Sequence, residues 1–301
     1  MSGRFLLIAA LLAGCASVPK IPDAPMPLPA GGQGYPLCKV ITERTDHWVL
    51  SGLDDFSFAT WNSVMGTVVM KRPDGLLLID PTFARSVRAD LTHVGAFAHL
   101  VTGDAETKTP VVTAMSAAGL DPMQVKWALI THSHWDHTGA LGDLKSAEVK
   151  MSRAEYDFQN GFKGEWDHGA IVVTLERARS RFTSFDFDGP PLLGFDASKD
   201  LFGDGSVIAV PLPGHTPGHT GYLLRDEGGQ WWLMIGDASW LLRGVEEPAR
   251  KNFIARGLDE NGDATGITLA RLHALLKAHP EIHQVPAHDA RGYEGMPECG
   301  K

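Results

Sequence analysis

The segment Thr131-His132-Ser133-His134-Trp135-Asp136-His137 constrains this chain more than any other. It places four ligand-type side chains within six positions, directly after the apolar run from Val125 to Ile130. Imidazole and carboxylate are the donors that a borderline divalent cation such as Zn²⁺ prefers. His132 and His134, two apart in an extended segment, point to one side and can share an ion. Asp136 and His137 follow as the chain turns into a helix, and they can aim at a second ion nearby. Three further segments set a ligand-type residue at the end of an apolar strand. They are Pro213-Gly214-His215-Thr216-Pro217-Gly218-His219, Trp232-Leu233-Met234-Ile235-Gly236-Asp237 and Val285-Pro286-Ala287-His288-Asp289. This shared placement is typical of loops that build one site on a rigid scaffold.

The scaffold itself reads as mixed α and β. Cys38 to Glu43, His47 to Ser51, Ser63 to Lys71 and Gly75 to Asp80 alternate or run apolar between turn signals, and predict an antiparallel opening to a sheet. Pro110 to Ala118 predicts a helix, Val125 to Ile130 and Val149 to Met151 short strands. Arg153 to Asn160 and Ile171 to Phe182 read as helical. Ser206 to Pro211, Thr220 to Arg225 and Trp231 to Ile235 read as strands, Ile267 to Lys277 as an amphipathic helix and His283 to Pro286 as a last strand. Elements mixed this way predict helices packed outside paired sheets. With 301 residues, 44% hydrophobic and 21% charged, the chain can bury a substantial core. Its net charge of −9 and the lack of any Lys/Arg cluster exclude a nucleic-acid partner. Nothing between Leu37 and Lys301 marks a second domain.

The first 36 residues read as an address and a tether. Arg4 precedes the apolar run Phe5 to Ala13, too short to span a bilayer. Leu12-Ala13-Gly14-Cys15 resembles a bacterial lipobox, which implies a signal peptide over residues 1–14, a lipid on Cys15 and attachment to the envelope, at the outer membrane facing the periplasm. Residues 15–36 hold Pro19, Pro22, Pro25, Pro27, Pro29 and Pro36 with Gly31, Gly32 and Gly34, the composition of an extended spacer. The folded domain then runs over residues 37–301. Cys38 and Cys299 can pair in an oxidising compartment or stand as two free thiols.

The order HxHxDH, PGHTPGH, GD and a late AHD resembles the metallo-β-lactamase superfamily, over roughly Ser63 to Asp289. The resemblance implies an αββα sandwich with two divalent metal ions, Zn²⁺ first among candidates, at one edge between the sheets. By motif position it implies that His132, His134 and His215 hold the first ion, that Asp136, His137 and His288 hold the second, and that Asp237 bridges both. It gives Asp80 a supporting place behind the ligands, and His219 reads as an orienting or packing residue rather than a ligand. Two such ions bridge a water and lower its pKa toward neutrality, so the implied chemistry is hydrolysis by a bridging hydroxide, with Asp136 carrying the proton to the leaving group. Asp237 argues against a dedicated β-lactamase. The full set is similar to acyl-homoserine lactonases, glyoxalase-II-type thioesterases and organophosphate hydrolases of the superfamily. Asp237-Ala238-Ser239-Trp240 looks like the lactonase segment, with Trp240 where a tyrosine polarises the lactone carbonyl. The short, weakly basic tail from Arg291 to Lys301 speaks against glyoxalase II. The expected substrate is a small lactone or other carboxylic ester with an apolar acyl group. Thioesters and phosphotriesters, or a mononuclear iron persulfide dioxygenase, are the other readings. Trp135, Trp166 and Trp240, with Phe83 and Phe97, are candidates for an aromatic wall over the metals.

Overall fold

The computed structural model describes residues 18–21, 25–29, 31–48, 53, 59–94, 102, 105–252 and 255–301. The signal segment, Cys15 and Phe97 therefore lie outside the described residues. The sheet opens with three antiparallel strands, β1 (Leu37–Trp48), β2 (Thr60–Arg72) and β3 (Gly75–Ile79). Two strands were expected where β1 runs as one. A bulge between Ile41 and Glu43 absorbs the break in alternation and lets the pairing continue. Next come the helices α1 (Val87–Asp90) and α2 (Val111–Ala117), β4 (Val125–Leu129), α3 (Trp135–Thr138), β5 (Glu148–Ser152) and α4 (Arg153–Asn160). A small hairpin, β6 (Trp166–Asp167) and β7 (Ala170–Ile171), leads into α5 (Val172–Glu176) and β8 (Phe182–Phe185). The second half holds β9 (Lys199–Asp200), β10 (Val207–Pro211), β11 (Thr220–Arg225), β12 (Trp231–Gly236), α6 (Arg243–Glu246), α7 (Gly262–Ala278) and β13 (His283–Pro286).

The expected helix from Ile171 to Phe182 stops at Glu176. Tertiary contacts override local preference there. The Arg181 guanidinium donates to the carbonyls of Leu141, Leu144 and Ala147, and Phe182 pairs with Val149 as β8 adds in parallel to β5.

Two sheets result, one ordered β1-β2-β3-β4-β5-β8 and the other β13-β12-β11-β10-β9. The alternation along β3 explains the layering. Leu76 and Leu78 face α2 through Val111, Val112 and Met115, whereas Leu77 and Ile79 face the second sheet through Val207, Ala209, Tyr222 and Met234. On the far side of that sheet, Ile208, Val210, Leu223 and Leu233 pack on Val245, Leu272 and Leu275 of α6 and α7. The central strands β3, β10 and β12 are thus covered on both faces, which is why they read as continuous apolar runs. Each such leucine or valine taken fully from water contributes about 1.5–3 kcal/mol. The order is α, β, β, α, the fold the motifs implied.

The start of β1 is tied to the C-terminal segment. Cys38 and Cys299 form a disulfide with Cα atoms 4.9 Å apart, and Lys39 exchanges backbone hydrogen bonds with Pro297 and Cys299. The Pro/Gly-rich segment lies against the second sheet at its described end. Gln33 N donates to Asp204 O and Tyr35 N to Arg225 O, while Met26 packs on the outer cluster of that sheet. Among the described residues no helix is long and apolar enough to cross a membrane.

Candidate metal centre

The carboxyl ends of β3, β4, β10, β12 and β13 come to one edge of the sandwich. Asp80 lies just past β3, His132 and His134 past β4, His215 past β10, Asp237 past β12 and His288 past β13. Two clusters form there. His132, His134, His215 and Asp237 are all buried, and Asp136, His137 and His288 lie beside them; within each cluster the ligand atoms are within 4.8 Å of one another. All seven ligand-type residues singled out in the sequence are therefore brought together.

Asp237 joins the two groups. Its Oδ1 is 3.2 Å from both His137 Nε2 and His288 Nε2, and its Oδ2 is 3.5 Å from His215 Nε2. Asp136 completes the second cluster, 3.5 Å from His288 Nε2 and 3.9 Å from His137 Nε2. A close backbone holds Asp237 in place. Gly236 has φ +50°, and a Cβ there would lie 2.7 Å from Thr131 Oγ1 and 2.8 Å from His219 Nε2. His219 accepts a hydrogen bond from Asp237 N at 3.1 Å, so it orients the carboxylate from behind.

Hydrogen bonds behind the ligands fix their tautomers. Asp80, a non-glycine residue at φ +52°, accepts from Thr131 N, from Thr131 Oγ1 and from His137 Nδ1 at 2.9 Å or less. Because the Thr131 hydroxyl proton goes to Asp80, its oxygen accepts from His132 Nδ1 at 3.0 Å. With Nδ1 engaged on both rings, Nε2 is the nitrogen each turns into the clusters. His132 Nε2, His137 Nε2 and Asp237 Oδ1 are buried with no hydrogen-bond partner. Buried polar atoms are rarely left in that state, and three of them converging from a His/Asp set fit divalent cations as the missing partner.

The electrostatics differ between the clusters. Burial and the neighbouring imidazoles hold His132 and His134 well below the usual histidine value, so they are neutral donors near pH 7. Burial also pushes His137 and His288 down, yet nearby carboxylates outweigh it and raise both: Asp80, Asp237 and Asp136 for His137, Asp237 and Asp136 for His288. Burial alone would raise Asp237, but His288 and His137 carry it well below the carboxylate range.

Three residues escaped the sequence reading. Glu155 accepts from Ser133 N and from Thr216 Oγ1, and so clamps the loop of His132 and His134 to the loop of His215. Its visible signal, Ser152-x-x-Glu155 at the start of α4, reads as a helix cap; Ser152 does cap the helix, while the Glu155 carboxylate is diverted into the site. Asp259 and Lys251, both buried, meet His215 Nδ1 from behind. Nothing in their local pattern sets them apart.

The tryptophans divide. Trp135 is only 8% exposed and stacks on Phe83 within a core cluster that half-buried Trp166 also borders, so it offers substrate almost no surface. Its place in the helical turn of α3 points it inward while Asp136 and His137 face the clusters. Trp240 stands at the site, with Nε1 donating to Asp237 Oδ2 at 2.8 Å and its ring centroid 5.7 Å from that of His288. It packs, as Trp61 does, against Leu53 and Leu241.

A family model described as the Metallo-beta-lactamase superfamily matches residues 63–266. The N-acyl homoserine lactonase AttM of Agrobacterium fabrum is 30% identical over 198 residues, 64% of this chain and 71% of its own length. A probable metallo-hydrolase of Mycobacterium tuberculosis is 27% identical over 243 residues, 75% of each chain. Among solved structures, an N-acyl homoserine lactone hydrolase with N-hexanoyl-L-homoserine bound at its catalytic metal centre superposes with a TM-score of 0.66. That match covers 89% of this chain and 99% of the other at 17% identity, a likeness of fold.

Proposed function

The chain belongs to the metallo-β-lactamase superfamily and is a metal-dependent hydrolase, and from that premise we propose that it uses two divalent ions to cleave lactones or other carboxylic esters with apolar acyl groups. The observation that carries the two-ion reading is the Asp237 carboxylate, with one oxygen turned to His137 and His288 and the other to His215. His132, His134 and His215 would hold one ion and Asp136, His137 and His288 the other. A donor set of imidazoles and carboxylates favours Zn²⁺. When bound, such a pair supplies Lewis acidity and lowers the pKa of a water toward neutrality.

The chain's own residues supply the rest. Asp237 and Asp136 differ in exposure, with side chains 4% and 16% accessible. Asp136 is thus the more open carboxylate, placed to take a proton from the attacking water and pass it to the leaving alkoxide. Asp80, Thr131 and His219 keep the ligands in register and spend nothing on substrate. Trp240, with Leu53 and Leu241 behind it, gives an apolar surface beside His288 that suits an acyl chain. The relatives named as N-acyl homoserine lactonases support a lactone as the ester.

The test joins metal analysis to a panel of lactone, aryl ester, thioester, phosphotriester and β-lactam substrates. Close to two divalent ions per chain are expected, with turnover of lactones and esters and little of β-lactams. Metal-loaded protein that ignores every lactone and ester yet cleaves a thioester or phosphotriester would overturn the substrate assignment. For location, the lipobox-like Leu12-Ala13-Gly14-Cys15 supports a lipid anchor on the envelope. Cys15→Ser is expected to move the protein out of the membrane fraction, and identical fractionation of the two forms would sink the anchor.

A further inference from the structure

We propose that Asp259, braced by Lys251, is the positioning residue that makes His215 competent to bind a cation. The proposal rests on the reading that the first cluster holds a metal. His215 Nδ1 has two polar neighbours, Asp259 Oδ1 at 2.8 Å and Lys251 Nζ at 2.9 Å. They favour opposite tautomers. A ring proton on Nδ1 donated to Asp259 leaves Nε2 as a lone pair, facing Asp237 at 3.5 Å and His134 Nδ1 at 3.0 Å. If Nδ1 instead accepted from Lys251, the proton would sit on Nε2. His215 would then present a donor where a cation needs an acceptor.

The geometry lets Asp259 prevail. Lys251 Nζ lies 2.7 Å from the same Asp259 oxygen, so the ammonium keeps a charge-assisted partner when Nδ1 carries the hydrogen. Neither side chain can exchange that partner for water, since Lys251 is 1% and Asp259 2% exposed. Neither can reach a substrate for the same reason.

Stability gives little reason for a buried ion pair at this place, because such pairs seldom outperform well-packed apolar residues. Position does give one. The pair abuts the supports of two first-cluster residues at once. Asp259 meets His215, and the Lys251 ammonium lies 5.6 Å from the ring centroid of Trp240, whose indole N–H holds Asp237. The loop preceding α7 is anchored to the ligand loop as well, through Glu260 N donating to His215 O and Asn261 N to Gly214 O. Carboxylate-to-imidazole partners of this kind raise ligand basicity, and their loss typically weakens metal binding or activity about 10- to 100-fold.

The test is zinc affinity by competition with a chelator, alongside the absorption spectrum of the cobalt(II)-loaded protein, neither of which needs turnover. Asp259→Asn is expected to weaken one zinc ion about 10- to 100-fold and to alter the cobalt spectrum at that equivalent only. That variant strands Lys251, so Asp259→Leu/Lys251→Met, which lacks both the acceptor and the ammonium, is measured too. The double variant is expected to melt no lower than the single one in metal-free form while keeping the affinity loss. Wild-type affinity in the double variant would overturn the proposal, because the pair would then only balance charge. So would an Asp259→Asn variant that binds both ions like wild type. Wild-type protein that takes up no zinc would overturn the metal-centre reading and this proposal together, an outcome distinct from the other two.

Discussion

Asp237→Ala is expected to leave the protein with at most one tightly held ion and to lower kcat/KM by between about 10² and 10⁴. The magnitude follows from removing one member of a buried charged cluster, worth about 3–5 kcal/mol, at about 1.4 kcal/mol per factor of ten. The two Asp237 oxygens divide between the clusters, Oδ1 facing His137 and His288 while Oδ2 faces His215. Proton release gives a second readout. His137 and His288 are raised above their ordinary value by carboxylates, so each must give up a proton before Nε2 can take an ion. Acidification through those raised values therefore competes with the metal, and affinity is expected to fall as pH falls. Without the Asp237 carboxylate both imidazoles lose part of what raises them, so metal uptake should release fewer protons. Calorimetric titration in buffers of different ionisation enthalpy measures this. Two ions and full turnover in Asp237→Ala would end the two-ion reading.

His132, His215, Asp237 and His288 could be read from the sequence because two signals coincide near each, and His134, Asp136 and His137 by their close spacing to His132. An apolar strand buried on both faces ends abruptly, and a residue that cannot remain in the core follows. Val125 to Leu129 before His132 and Trp231 to Gly236 before Asp237 are the clearest cases. The layering was legible for the same reason, since β3, β10 and β12 are continuously apolar. What escaped has no periodic mark. Asp259 lies in a loop whose composition suits any turn, and only the approach of that loop to His215 gives it meaning. Lys251 is among the residue types least often buried, so its near-complete burial could not be anticipated from its type. Trp135 was misjudged by proximity in sequence. Within a helical turn, neighbours point to different faces, and that turn sends the indole to Phe83 while His137 goes to Asp80. The helix expected through Phe182 failed because Arg181 finds three carbonyls on a distant loop.

Trp240 separates a wall from a support. As a pocket wall alone, its loss would raise KM and spare kcat. The indole N–H, however, donates to Asp237 Oδ2 at 2.8 Å, the oxygen on the His215 side, so the residue also holds the shared carboxylate. The bond uses the indole's one donor, leaving none for a substrate carbonyl. Trp240→Phe keeps an aromatic ring and deletes that donor. It is expected to weaken metal binding about 10- to 100-fold while KM for long-chain esters, measured at saturating zinc, changes little. Trp240→Ala removes both contributions, so it should match the loss of metal affinity and raise KM in addition, most for the longest acyl chains. Trp240→Tyr is diagnostic of the electrophile role. If a phenol there polarised the carbonyl, kcat at saturating zinc would rise above that of Trp240→Phe. Equal kcat in the tyrosine and phenylalanine variants, with metal affinity lowered in both, is the expected outcome, since the indole N–H acts on Asp237 and not on the substrate. A Trp240→Phe enzyme that binds zinc like wild type and differs only in KM would return the residue to the role of a wall.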